Sequence, residues 1–237
     1  MRHALALLIV MVGGCGSCSC GGGGGGGAPD APLSCGAVPE EHGGEATYYD
    51  ADGSGNCSFD PSPGDLMVAA LNTTDYGGAL ACGACAAVTG PNGTATVRIV
   101  DRCPGCEAGD IDLSREAFAA IAPLAAGRID VTWRFVPCDV SGPLRYRFKE
   151  GSNAFWVGIQ VRNHRHAIAM VEGKQEDGAW RALGRESYNY FVDASGMGAG
   201  PLALRVTDVF GFVVEDAAIP LGDATEAASA SQLPACQ

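Results

Sequence analysis

The stretch from Arg98 to Phe118, RIVDRCPGCEAGDIDLSREAF, limits the fold more than any other part of the chain. A β-type run, Val97 to Val100, stops at Asp101, and the tight loop Cys103-Pro-Gly-Cys106 follows. Gly109-Asp110 is a turn signal, and Ile111-Asp112-Leu113 is a second short extended piece. Ser114 is a good N-cap for a short helix. Pro123 must end or kink that helix, because its ring removes a donor and clashes with the preceding turn. This spacing puts two carboxylates, Asp101 and Asp112, at the ends of neighbouring short strands, with a cysteine-pinned loop between them. Acids at strand ends beside a constrained loop suit a carbohydrate cleft. They equally suit a turn cap and a carboxylate that bonds nearby backbone N–H groups.

Charge narrows the partners. The 237 residues carry a formal net charge of −12. Nucleic acid and anionic membrane surfaces both reward clustered basic residues, so neither is an expected partner. Eleven cysteines point to an oxidising compartment. The N-terminus agrees. Arg2 supplies a minimal basic region, and the apolar run Ala4 to Val12 is too short to span a bilayer. Val12-Gly13-Gly14-Cys15 resembles a bacterial lipobox. Residues 1–14 are therefore read as a signal peptide, with cleavage before Cys15 and lipid attached to its sulfur. An ordinary secretory peptide cut nearby, leaving Cys15, Cys18 and Cys20 paired or free, is the other reading. On the first reading the protein is exported and meets a membrane only through its lipid anchor. The glycine run Gly21 to Gly27 and the Ala-Pro-Asp-Ala-Pro after it make residues 15–40 a tether.

Residues 41–140 read as a first folded unit. Ala46 to Tyr49, Leu66 to Leu71, Ala86 to Val88 and Thr94 to Val100 have strand character, the last two around a Pro91-Asn92-Gly93 turn. Arg128 to Val136 alternates, with Ile129, Val131, Trp133 and Phe135 facing one way. Short strands, glycine-rich turns and one short helix suggest a small closed β-barrel. Cys82-x2-Cys85 and Cys103-x2-Cys106 have a spacing that zinc can use. The export signal, with Cys35, Cys57, Cys138 and Cys236, favours four disulfides and no metal. Spacing alone leaves 105 pairings of eight cysteines open.

Ser141-Gly142-Pro143 marks a boundary, and residues 141–237 read as a β-sandwich with a C-terminal tail. Its strands are Leu144 to Phe148, Phe155 to Val161, Ala167 to Val171, Trp180 to Leu183, Leu202 to Val206 and Phe212 to Val214. In the second of these, Phe155, Val157, Ile159 and Val161 share one face. Trp133 and Trp180 are expected in the cores. Ser187 and His164 lack a triad-like context, and no cofactor is expected.

Several motifs in fixed order carry a resemblance that spans nearly all of Gly44 to Pro220. ATYYD, YGG, ACGAC, DRCPGC and GDIDLSREAF resemble the double-psi β-barrel of expansins and of their barwin-like, loosenin and family-45 endoglucanase relatives. YRFKEGS, FW, IQVRNH, YNYF and RVTD resemble the second domain of bacterial expansins, a carbohydrate-binding module of the family-63 type. The resemblance implies a mainly β fold, a six-stranded double-psi β-barrel followed by an immunoglobulin-like β-sandwich, and a monomer. It implies disulfides Cys57–Cys82, Cys85–Cys138 and Cys103–Cys106; Cys35–Cys236 is what remains.

The same resemblance implies roles. Asp112 matches the key acid, and Asp101 and Thr47 match other polar groups of the barrel groove. Tyr49 is expected to contact substrate there. Phe155, Trp156 and Tyr188 match a line of three aromatics that binds cellulose, and Lys149 matches an accompanying basic residue. Exposed rings suit the apolar C–H faces of a glucan chain. The implied function is non-hydrolytic binding and loosening of cellulose, or a related β-glucan, in plant cell walls. Two departures matter. Cys103 replaces a frequent groove tyrosine. Asp50, in the context Tyr48-Tyr49-Asp50, stands near the catalytic base of family-45 endoglucanases. Asp50 with Asp112 would make a hydrolase, and Asp112 alone a lytic transglycosylase acting on peptidoglycan. A barwin-like binding or inhibitor protein is the third possibility.

Overall fold

The computed structural model describes residues 40–235. Cys15, the Cys35–Cys236 pair, the signal peptide and the tether up to residue 39 lie outside the described residues. Six strands close into a barrel: β1 (His42–Tyr49), β2 (Val68–Asn72), β3 (Cys85–Gly90), β4 (Gly93–Cys103), β5 (Ile111–Ser114) and β6 (Ile129–Val136). Their order around the barrel is β1-β5-β2-β4-β3-β6. The pairs β1–β5 and β2–β4 are parallel, and the other contacts are antiparallel. The β3–β4 hairpin turns at Pro91-Asn92, with Gly90 paired to Gly93.

The barrel corrects two details of the sequence reading. The strand after Arg98 does not stop at Asp101 but runs on to Cys103. Asp101 and Asp112 are not on neighbouring strands either, because β2 lies between β4 and β5. Crossover connections of this kind set strand order by packing, which local sequence does not encode. Two short helices join the strands, α1 (Thr73–Tyr76) and α2 (Arg115–Ile121). Ser114 caps α2 by accepting from the Ala117 N–H at 3.1 Å. α2 buries Ala117, Phe118 and Ile121 against a core that includes Leu71, Val97, Ile99, Leu113 and Trp133. The Trp133 indole donates to the Gly109 carbonyl at 2.7 Å, so its one polar atom is satisfied inside the core.

The second unit packs two antiparallel sheets. The first has the order β11-β12-β8-β7-β15, from β7 (Arg145–Phe148), β8 (Val157–Arg162), β11 (Gly184–Arg185), β12 (Phe191–Asp193) and β15 (Glu226–Ala228). The second has the order β10-β9-β13-β14, from β9 (Ile168–Lys174), β10 (Trp180–Ala182), β13 (Leu202–Asp208) and β14 (Val213–Ile219). Strict alternation on β13 buries Leu202, Leu204 and Val206. β15 comes from the stretch read as a tail and pairs with β7, and Leu233 beyond it is buried.

Trp180 is not a core residue. Register sets it opposite Lys174, on the outer face of its sheet. There its ring lies 4.2 Å from the Arg205 guanidinium and 5.9 Å from the Lys174 ammonium. Phe155 also leaves the face assigned to it, because β8 begins only at Val157.

Among the described residues three disulfides are formed: Cys57–Cys82, Cys85–Cys138 and Cys103–Cys106. They close loops of very different length, with sequence separations of 25, 53 and 3. Replacing Cys85 and Cys138 together by Ala should cost about 4 kcal/mol, and replacing Cys103 and Cys106 about 2 kcal/mol, from loop-closure entropy. Urea-unfolding midpoints of the two double variants will check that order.

Candidate functional site

The groove is built on the barrel's outer surface by β1, β5, β2 and β4. On β1, Thr47 and Tyr49 are two residues apart and so share a face. The β1–β5 register sets Thr47 opposite Asp112, and the Thr47 hydroxyl donates to the Asp112 carboxylate at 2.7 Å. On β2, Ala70 is opposite Asp112 on one side and Asp101 on the other. Two strand spacings put the backbones of the two acids about 10 Å apart.

The two carboxylates are held differently. Asp101 accepts from the backbone N–H groups of Asn56 at 2.6 Å and Arg102 at 2.8 Å. Asp112 has its pKa raised above the usual aspartate value, chiefly by burial, with Asp101 adding like-charge repulsion and the Thr47 bond opposing both. The Tyr49 phenol is pushed well up, first by burial and then by Asp101, Asp112 and Asp52. Its buried oxygen has no hydrogen-bond partner among the described residues. Asp50 turns the other way. It shares the parity of Tyr48, is exposed, and lies 3.8 Å from Arg115 at the start of α2. Arg115 in turn sits over the Tyr48 ring, which packs on Phe118.

The sandwich places its aromatic residues by a turn rather than by a strand. The Asn153 N–H donates to the Trp156 carbonyl at 2.8 Å, and the Phe155 N–H donates to the Asn153 side chain at 2.8 Å. The adjacent residues Phe155 and Trp156 are thereby released from the alternation that would send one of them into the core. Phe155 is 81% exposed. The Trp156 ring reaches over Gly158, where a Cβ would come within 2.9 Å of it. The Cβ of Lys149 borders the same spot, and its ammonium lies 5.6 Å from the Tyr188 ring and 5.2 Å from the Tyr190 ring. Trp156, Lys149 and Tyr188 thus cluster on the outer side of Gly158, and Phe155 is exposed next to Trp156 in the chain.

Strip and groove meet through hydrogen bonds between the two halves. The carbonyl of Ser187, next to Tyr188, accepts from the Asn56 side chain at 2.8 Å and from the Tyr76 hydroxyl at 2.9 Å. The Asn56 N–H is one of the two that bond Asp101. Gln160 and Asn189 also donate to the Cys57 carbonyl, at 2.8 and 3.2 Å. Sequence reasoning assigns no role to Asn56 or Tyr190, and it weighs Ser187 only as a hydroxyl, whereas its carbonyl makes the contact. The i, i+2 pair Tyr188 and Tyr190 is the one signal in the sequence that points to Tyr190.

A closed barrel with an acidic groove, bonded to a sandwich with an aromatic outer face, defines a class of two-part β proteins. The barrel matches a double-psi β-barrel family described as lytic transglycolase over residues 68–133. The whole body matches more widely. Expansin-YoaJ of Bacillus subtilis is 38% identical over 191 residues, covering 78% of this chain and 82% of that protein. Expansin-like protein 2 of Dictyostelium discoideum is 33% identical over 181 residues, covering 72% of this chain and 44% of that protein. A crystal structure of a mutant Clavibacter michiganensis expansin in complex with cellohexaose superposes with a TM-score of 0.78 at 35% identity. That match covers 84% of this chain and 100% of the other. The chain belongs to the expansin family.

The electrostatics of Asp112 give a test. Its protonated form is favoured more in the folded chain than in the unfolded chain. Its contribution to stability therefore falls as pH rises from the ordinary aspartate range through the raised folded value. Carboxyl-carbon NMR titration should show Asp112 titrating above a normal aspartate. Asp101→Asn should bring that value down, and Thr47→Val should take it further up.

Proposed function

We propose that the chain binds cellulose, or a related β-glucan, along the aromatic strip and the barrel groove, and loosens it without cutting. The observation that carries this reading is the continuity of the two surfaces. The Asn56–Ser187 bond joins a residue that bonds Asp101 to the residue beside Tyr188. A single extended polymer could follow such a track, whereas a small soluble substrate would call for an enclosed pocket. The related Clavibacter expansin, described as a complex with cellohexaose, supports the same ligand class.

Within this reading, Phe155, Trp156 and Tyr188 stack on the C–H faces of successive sugars, and Lys149 supplies a donor to hydroxyl oxygens. Asp112 has a pKa raised above that of an ordinary aspartate, chiefly by burial, and its carboxyl hydrogen-bonds a sugar hydroxyl. Hydrolysis with inversion needs a second carboxylate placed to activate a water. Asp50 faces Arg115 and solvent, and Asp101 has one oxygen, Oδ1, engaged by two backbone N–H groups.

Pull-down on insoluble cellulose, with assay of soluble reducing and anhydro sugars, tests the reading. Binding without sugar release is expected. Trp156→Ala should weaken binding by about tenfold or more, the loss of a stacked ring and its buried area. Asp112→Asn should leave binding intact and abolish mechanical weakening of cellulose paper. Sugar release from cellulose or peptidoglycan that disappears in Asp112→Asn would instead establish a glycan-cleaving enzyme.

Export and lipidation at Cys15 are proposed on the sequence alone. Cells fed a labelled fatty acid should label the protein, and Cys15→Ser should lose the label.

A further inference from the structure

We propose that the binding strip does not end at Phe155 but continues into a depression of about 630 Å³ that holds the next neutral sugar of the bound glucan. This rests on the cellulose-binding reading above and extends its specificity. The depression is lined by the exposed Phe155, and no barrel residue lines it. One wall is the turn of the β9–β10 hairpin, with Gln175, Glu176 and Asp177. The other is the loop after β12, with Ser195, Gly196 and Gly198.

The walls are held in place from behind. The Asp193 carboxylate accepts from the Ser195 N–H at 2.9 Å and from its hydroxyl at 2.7 Å. The Gly198 N–H donates to the Ala154 carbonyl at 3.1 Å. Gly196 has φ of +76°, and a Cβ there would lie 2.2 Å from the Ala154 oxygen and 2.4 Å from the Phe155 Cα. The loop therefore presses directly on the turn that presents Phe155, and only glycine permits that approach. On the facing wall, the Gln175 N–H donates to the Ala179 carbonyl at 2.8 Å, and Asp177 accepts from the Ala179 N–H at 2.9 Å. Neither wall needs reordering to receive a ligand, which lowers the entropic cost of binding.

The chemistry selects a sugar. An exposed ring beside a rigid concave wall of acceptors offers a C–H face one surface and its hydroxyls another. Glu176 and Asp177 are exposed carboxylates, which accept charge-assisted bonds from O–H donors. The same pair repels a uronate, so the depression selects a neutral hexose over an acidic one.

Calorimetric titration of the full chain with cello-oligosaccharides of three to six glucose units tests the proposal. Affinity should go on rising with length through the unit that reaches past Phe155 and level off beyond it. The double variant Glu176→Ala/Asp177→Ala should lose about tenfold for the longest oligosaccharide, the scale of a charge-assisted hydrogen bond, and nothing for the trisaccharide. Gly196→Ala should lose affinity at both lengths, because it displaces the Phe155 turn. Equal affinities of wild type and double variant at every length would overturn the subsite. If Trp156→Ala still weakened binding at every length, the strip would stand and only the subsite would fall. Failure of the wild type to bind any of these oligosaccharides would remove both.

Discussion

Ala70 stands between the two groove carboxylates because closure of the barrel inserts β2 between β4 and β5. Everything in the groove follows from that pairing. It keeps Asp101 and Asp112 close enough to repel one another, yet far enough apart for each to have its own partners. Asp112 faces Thr47 across the parallel β1–β5 pair, whereas Asp101 turns to the backbone of the loop at Asn56. One strand order thus produces two acids with different properties from identical side chains. Burial, not the neighbouring charge, is the larger influence on Asp112.

The join between barrel and sandwich depends on a second local fact. Loop 52–60 supplies backbone and side-chain partners to both halves. The Cys57 carbonyl takes Gln160 and Asn189, the Asn56 side chain reaches Ser187, and Asp60 pairs with Arg162 at 2.7 Å. The Cys57–Cys82 disulfide ties the same loop to the barrel core. Buried hydrogen bonds at such a junction are costly to leave unmade, so the two surfaces are held in one relative arrangement. His164 shows how dry the junction is. It packs against Gly83, and burial lowers its pKa to about 4, so the ring stays neutral near pH 7.

The aromatic face is a case where regular secondary structure would have defeated function. Phe155 and Trp156 are adjacent, and a strand would bury one of them. The Asn153 turn ends that alternation just before β8 begins, and glycines at 158 and 196 let a ring and a loop approach the backbone. Trp180 shows the same logic in reverse. By residue type it belongs in a core, but register with Lys174 carries it outward under Arg205.

Much of the fold was legible because its signals are local. Turn residues at Pro91-Asn92-Gly93, the Ser114 cap and the alternation of Ile129 to Phe135 each act within a few residues. Fixed-order motifs then named the barrel and the sandwich. The order of strands, the extension of β4 past Asp101, the recruitment of β15 and the outward face of Trp180 were not legible. Each is set by pairing between segments distant in the chain. The sequence by itself determined most of the local elements and the family. Only the tertiary structure decided that Asp50 turns to Arg115, that Ala70 separates the acids, and that Ser187 joins strip to groove. Those are long-range contacts, fixed by barrel closure and by the packing of two units, and no local pattern encodes them.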